Sequence, residues 1–351
     1  MTGGRRSTGL RRWHRWCGLG ALVFLLTAAV TGSLLVYKKE LVHLLVAPAA
    51  TLPTGFDQAQ LAAELDRIAA QVNTAELARI KAPNADEPYW TLTGADGGER
   101  LLAIGSLEPY TDHAWLLPSL AFVRELHTEL LTGVFGEALL LASGAAGLFL
   151  CVAGLILWWP SRHSFRWRWV LPRPRPPKQL LVSHLHHGTV TAAVLILVTL
   201  TGSVMLWQKL VGPLLPPLAA TTLAKQNQPV AAMAPSQWLQ AAFTAVPDGW
   251  PTFIRLPDQR SNEFSVRFRL PDEWHSNGRT SVSFDTAGGG ASLSQRSDQA
   301  PTAHRLLNQL YPLHTGYGLG GLYALLIFAS GIALLWLSVT GFLSWLRRRR
   351  H

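Results

Sequence analysis

The sequence predicts an α-helical membrane protein with four transmembrane helices in two tandem repeats and an extracytoplasmic α+β module in each repeat. Three observations predict it. Hydrophobic residues make up 48% of the 351 positions and charged residues only 15%, too apolar a balance for an ordinary soluble domain. Four stretches are apolar enough to cross a hydrocarbon layer of about 30 Å, which takes roughly 20 helical residues. The second half of the chain also repeats the first at fixed offsets.

In chain order, a basic tail over 1–16 leads into a first helix over 17–37. An exported module over 38–126 is followed by a histidine-bearing segment and the second helix over 127–159, apolar from Glu137 onward. A basic loop over 160–186 precedes the third helix, 187–207, and a second exported module spans 208–313. A second histidine-bearing segment and the fourth helix occupy 314–346, apolar from Gly321, and 347–351 form a basic end. The first helix follows a basic start and ends in small residues, as a signal peptide does. The third helix repeats that pattern deep inside the chain, which identifies both as spans.

Basic residues set the orientation. The first tail carries five arginines, the 160–186 loop six Lys or Arg and the C-terminal end four, with no Asp or Glu in the tail, over 160–183 or at that end. The positive-inside rule places all three on the cytoplasmic side of a bacterial inner membrane, with both termini cytoplasmic and both long modules periplasmic. The net charge of +10 then reflects topology and anionic lipid headgroups, not nucleic acid. Cys17 and Cys151 both fall in membrane segments, so no exported disulfide framework is implied.

An offset of 170 lays His14 on His184, Gly18 on Gly188 and Thr31-Gly32-Ser33 on Thr201-Gly202-Ser203. An offset of 187 lays His127 on His314, Ser143-Gly144 on Ser330-Gly331 and Gly154 on Gly341. Two like-oriented halves imply a pseudo-two-fold axis along the membrane normal. Each exported module reads as one helix and three strands. Asp57 caps a helix running to Val72, followed by strands near 78–82, 89–93 and 100–104. The second module has a helix over 236–245 and strands near 252–256, 263–270 and 280–285. A separate small sheet with one helix on its face is the simplest packing for each.

The histidines carry the candidate chemistry. Across a pseudo-two-fold axis, His14 with His184 and His127 with His314 lie at matched depths, one from each half, which is what two axial imidazole ligands of a b-type haem require. The first pair sits at the cytoplasmic level and the second at the periplasmic level, roughly 30 Å apart for a helical span of about 20 residues. Two haems, with iron held by His14, His184, His127 and His314, would then form a transmembrane wire. Gly18 and Gly188 lie one turn beyond the first pair, where a missing side chain leaves room for a flat macrocycle. Small residues also serve plain helix packing in membranes, and that alternative stays open. His187, one turn from His184, is an alternative ligand. His43, His113, His163, His275, His304 and His351 have no repeat partner and read as surface residues. Arg11, Arg12, Arg15, Arg124 and Arg305 could meet haem propionates, although topology already accounts for most arginines.

The run Trp13-His14-Arg15-Trp16 before a helix ending Thr31-Gly32-Ser33-Leu34-Leu35-Val36, with Leu126-His127 and Leu313-His314 before Gly-rich helices, resembles the PepSY-associated transmembrane family. The exported modules resemble PepSY domains, with an Asp-x-x-x-Gly turn at Asp285 to Gly289 in the second and none in the first. Within the family the chain is most similar to siderophore-iron (ferrioxamine) reductases of the FoxB type. That resemblance implies two b-type haems and, as substrate, a periplasmic ferric siderophore, hydroxamates among them, reduced so that Fe(II) is released for iron uptake. No nucleotide motif is present, so the electron donor is external, either a membrane quinol or a cytoplasmic reductase. The first module carries seven basic and twelve acidic residues and the second nine and seven, which favours a cationic or neutral chelate at the first. Two other functions remain open at this level: an iron or siderophore permease, for which Glu137 is the one intramembrane carboxylate, and a non-catalytic PepSY-type binding or regulatory membrane protein.

Overall fold

A computed structural model describes residues 3–170, 177–212, 221–223, 233–258, 261–286, 291–293 and 296–348. These divide into two units: a helical unit, built from the chain up to Tyr37, Ala121–Leu215 and Leu310 onward, and a sheet unit, built from Lys38–Leu120 and Pro216–Gln309.

In chain order the elements are α1 (Gly3–Gly20), α2 (Leu22–Val36), α3 (Lys38–Leu45), α4 (Gln58–Gln71), β1 (Leu77–Lys81), β2 (Trp90–Gly94) and β3 (Glu99–Leu102). There follow α5 (Leu116–Glu129), α6 (Val134–Trp158), α7 (Pro177–Val211), β4 (Thr221–Leu223), α8 (Pro235–Ala245), β5 (Trp250–Arg255) and β6 (Glu263–Arg269). The last are β7 (Thr280–Asp285), β8 (Ala291–Leu293), α9 (Thr302–Asn308), α10 (Leu310–Thr315) and α11 (Gly321–Arg348).

Among the described residues of the helical unit, three helices are long and apolar enough to span a membrane: Val134–Ser164, Gln179–Val211 and Gly321–Arg347. The first predicted span is instead a bent pair, Thr8–Gly20 and Leu22–Val36, meeting at 60°. Gly18 and Gly20 immediately precede the bend, and glycine lowers the cost of distorting a helix. The basic loop is shorter than expected. Turns of 3-10 helix occupy Trp159–Ser164 and Trp167–Trp169, and α7 starts at Pro177, ten residues before the predicted 187. Proline is well suited to a first helical turn because its missing N–H has no partner there anyway. His184, His186 and His187 therefore lie inside one continuous helix.

Small residues set the helix contacts. Gly144 of α6 lies against Ser203 of α7, and Gly331 of α11 lies against Ser33 of α2. These two contacts are related by the offsets of 187 and 170. Gly18 faces Leu150, and Gly188 faces Leu337, where an added Cβ would stand 3.6 and 3.4 Å away. Both distances are ordinary van der Waals contact, so a methyl would fit at either glycine. Small residues at such crossings maximise dispersion contact where lipid offers no hydrophobic driving force.

The sheet unit corrects the picture of two separate modules. All eight strands form one antiparallel sheet in the order β3-β2-β1-β5-β6-β7-β8-β4. β1 of the first module pairs with β5 of the second, with Ile80 opposite Ile254 and Lys81 opposite Phe253. Left apart, each module would expose a row of unpaired strand N–H and C=O groups; joining the two removes both edges. β4 and β8 escaped the sequence reading because three-residue strands have too little pattern to detect. Positions 287–289 of the Asp285 to Gly289 turn lie outside the described residues.

Helices α4 and α8 cover one face of the sheet over a common core that includes Leu61, Leu65, Ile80, Leu239, Ile254 and Phe264. α4 begins as expected: the Asp57 carboxylate accepts from the N–H groups of Ala59 and Gln60 (3.0 and 2.9 Å), and Gln60 Oε1 accepts from Asp57 N–H (3.2 Å). This capping box satisfies donors that would otherwise lack partners. Glu64 is buried but accepts from Trp90 Nε1–H (2.6 Å) and Gly105 N–H (2.7 Å). Hydrogen bonds to a charged group contribute about 1.5–3 kcal/mol each, which offsets its desolvation. His275 is buried, contrary to its surface assignment. Burial and the nearby Arg279 and Arg267 hold its pKa down to about 3.

Candidate site at the paired histidines

The four repeat-related histidines come from four elements of the helical unit: His14 from α1, His127 from α5, His184 from α7 and His314 from α10. The His14 and His184 rings lie side by side in the structure, with centroids 6.4 Å apart and planes at 87°. Those of His127 and His314 are 6.2 Å apart with planes at 38°. A metal ion bonded at about 2.0 Å to one nitrogen of each ring, with about 1.1 Å more to each ring centre, sets two opposed imidazoles about 6.2 Å apart. Both pairs have that spacing. Among the described residues no three His, Cys, Asp or Glu converge to hold a bare ion. Two opposed donors are the number an axial pair supplies when a macrocycle provides the rest.

Threonines decide which ring nitrogen is available. Thr201 donates its hydroxyl proton to Leu197 O (2.8 Å), so its oxygen can only accept from His314 Nδ1, 3.2 Å away. Val198 O, 3.0 Å from the same Nδ1, can also only accept. His314 therefore carries its proton on Nδ1, leaving the Nε2 lone pair free. The same logic applies at His127, whose Nδ1 lies 2.9 Å from Thr31 Oγ1 while Thr31 donates to Thr27 O at 2.6 Å. It applies again at His184, 3.1 Å from Thr340 Oγ1, with Thr340 donating to Trp336 O at 2.8 Å. A histidine fixed through Nδ1–H presents Nε2 as a ligand, with its orientation and basicity set by the partner.

The glycine after each threonine makes the contact possible. An added Cβ would come within 2.9 Å of His127 Cε1 at Gly32 and within 2.7 Å of His314 Cε1 at Gly202. It would come within 3.3 Å of His184 Cε1 at Gly341 and 3.5 Å of His14 Cε1 at Gly154. Gly32 and Gly202 most of all, these glycines seat the imidazoles themselves. The Thr-Gly dipeptides at 31, 201 and 340 are a signal that could have revealed the whole arrangement. In the sequence Thr31 and Thr201 stand out only as positions matched by the repeat, and Thr340 does not stand out at all.

The fourth histidine differs. Position 153, related to Thr340 by the offset of 187, is alanine, and the buried His14 Nδ1 has no partner among the described residues. Of the neighbouring α7 histidines, His186 has both nitrogens engaged, whereas the buried Nε2 of His187 has no partner among the described residues. His186 directs Nδ1 at Val182 O (2.8 Å) and Nε2 at Ser164 O (3.3 Å), with its ring stacked on Phe165. His187 points Nδ1 at Val170 O (2.7 Å), and it is His184 whose ring lies beside His14. Glu137 is buried and forms an ion pair with Lys209, which also lies 3.7 Å from Glu129. It is thus a compensated charge, one whose pairing offsets the cost of burial. Along α7, His184 and Thr201 are separated by seventeen residues, about 25 Å at 1.5 Å per residue. The two pairs therefore mark two levels of the helical unit.

No curated protein matches the chain. The profile of the PepSY-associated TM region family matches residues 11–348, which takes in the helices, the sheet and all four paired histidines. With this match and several helices of membrane-spanning length, the chain is a multi-pass membrane protein belonging to the PepSY-associated TM region family.

Proposed function

We propose that this chain is a di-haem b-type transmembrane oxidoreductase that passes electrons from the cytoplasmic or membrane side to an extracytoplasmic ferric siderophore, as the resemblance to FoxB-type reductases implies. The observation that carries this reading is the two imidazole pairs at 6.4 and 6.2 Å, with Nδ1 of His127, His184 and His314 held and Nε2 left to bind. When bound, a haem at each pair supplies reversible one-electron transfer at its iron. The residues present fit such a group. His14 with His184, and His127 with His314, would hold the haem iron. Thr31, Thr201 and Thr340 fix ring orientation, and Gly32, Gly202, Gly154 and Gly341 let the rings sit against the helices.

In net terms one electron reduces Fe(III) in the chelate to Fe(II), which oxygen chelators bind less tightly and release. The donor is a membrane quinol or a cytoplasmic reductase docking on the arginine-rich side. The test is a reduced-minus-oxidised optical spectrum with haem quantitation on detergent-purified protein. Two b-type haems per chain are expected. A folded, colourless preparation would overturn the reading and return the permease and the binding protein to consideration.

The His14 asymmetry has its own consequence. A hydrogen bond to Nδ1–H makes an imidazole a stronger donor and favours the oxidised metal. Ala153→Ser adds one hydroxyl where Thr340 stands in the other half. In a redox titration of the variant, the midpoint of the His14/His184 centre is expected to fall while that of the other stays put.

A further inference from the structure

One face of the sheet is covered by α4 and α8; on the other, α3 and the start of α5 pack over the β2–β3 end, and β1, β5 and β6 carry a basic cluster. Strand alternation sends Ile80, Ile254, Val266 and Phe268 into the core, so their neighbours Arg79, Lys81, Phe253, Arg255, Arg267 and Arg269 fall on the opposite face. The register puts Lys81, Phe253 and Arg267 in one row across three strands. Three cations surround the Phe253 ring: Arg79 Cζ at 5.0 Å from its centroid, Arg267 Cζ at 5.7 Å and Lys81 Nζ at 5.9 Å. Arg79 and Arg255 are exposed, and Phe253 and Arg267 half-buried.

Like charges on neighbouring strands repel, and this face does little to relieve them from within. Lys81 pairs with Glu87, and Arg269 Nε donates to Glu273 O at 3.2 Å. Among the described residues, no carboxylate lies within ion-pair distance of Arg79, Arg255 or Arg267. Burial and the positive charges of Arg279, Arg79 and Arg255 press on the Arg267 guanidinium, against a smaller opposing influence from Glu273. Guanidinium groups held apart on a rigid sheet and steadied by one aromatic ring favour a ligand with several anionic oxygens.

We propose that this sheet face binds the iron chelate, and that the chelate it takes is a ferric complex of net negative charge bearing catecholate or carboxylate oxygens. This rests on the reductase reading for the ligand's identity, while the site rests on the face itself. It departs from the net-charge argument: of the first module's acidic residues Glu87 pairs with Lys81 beside Phe253, while Arg79 and Arg267 at the same ring have no carboxylate within ion-pair distance among the described residues.

The test measures binding of redox-inert Ga(III) chelates to full-length protein in detergent, by tryptophan quenching, with haem content determined on the same sample. A Ga(III) tris-catecholate is expected to bind at least tenfold more tightly than an uncharged Ga(III) trihydroxamate, and more weakly as salt rises. Arg79→Gln/Arg267→Gln is expected to lose at least tenfold in tris-catecholate affinity, while Arg67→Gln, on α4, leaves it unchanged. Equal affinity for the two chelates, or indifference to the double variant, overturns the proposal. So does binding that appears only with anionic phospholipid vesicles, which would make the face a headgroup site. Selective binding by a haem-free protein would sink the reductase reading and leave this site standing; haem without selective binding would do the reverse.

Discussion

His314→Ala is expected to remove one of two b-type haems and leave the other in place. His314 lies 6.2 Å from His127 between ring centres, and its Nδ1–H is committed to Thr201 Oγ1 and Val198 O, which leaves Nε2 to bind. Losing one of two axial ligands from a dry site removes the main attachment of the group. His127→Ala should therefore give the same spectrum, and the double variant should do no further damage, because the two residues act as one unit. His14→Ala and His184→Ala should remove the complementary half of the haem signal, and a variant combining one histidine from each pair should be colourless. The readout is haem per chain together with the reduced absorption band of whichever haem remains. His186→Ala serves as control, since both its nitrogens face backbone carbonyls. His187→Ala separates the two candidate ligands on α7. If it costs a haem and His184→Ala does not, the ligand is His187 and the ring-to-ring geometry has misled.

Much of this arrangement follows from the sequence because duplication writes the same contact twice. Offsets of 170 and 187 that match His14 to His184 and His127 to His314 also imply that each pair meets across the two halves, and the ring centroids of the pairs lie 6.4 and 6.2 Å apart. The Asp57 cap and the α8 helix were legible because cap chemistry and helical spacing are local signals. Joining of the modules through β1 and β5 was not, since a strand edge carries no record of its partner in one sequence. The bend between α1 and α2 was hidden for a related reason: hydropathy registers apolar length, not direction. Thr340 was missed because a threonine inside a span looks like packing until the ring beside it is seen. The charge on the sheet face around Phe253 was hidden differently. Summing charges over a whole module averages away a cluster that strand alternation concentrates on one side.

Gly202→Ala is expected to disable the His127/His314 pair more severely than any other single methyl among the four ring-seating glycines. An added Cβ at position 202 stands 2.7 Å from His314 Cε1 and one at 32 stands 2.9 Å from His127 Cε1, both closer than such atoms approach in practice; at 341 the distance is 3.3 Å and at 154 it is 3.5 Å. The His314 ring cannot simply retreat, because Nδ1 is tied to Thr201 and Val198 on the helix carrying the new methyl. It must tilt or give up those bonds, and a ligand tolerates only about 0.5 Å of displacement before its function fails. The expected order of haem loss is therefore Gly202→Ala, then Gly32→Ala, then Gly341→Ala, with Gly154→Ala close to wild type. Haem per chain measures the order, and low-spin electron paramagnetic resonance shows whether a retained haem has a tilted ligand. If Gly154→Ala proves as damaging as Gly202→Ala, or none of the four matters, these glycines do not seat the ligands. Weakened helices could not mimic the expected order, because replacing glycine by alanine inside a helix favours the helix by about 1 kcal/mol.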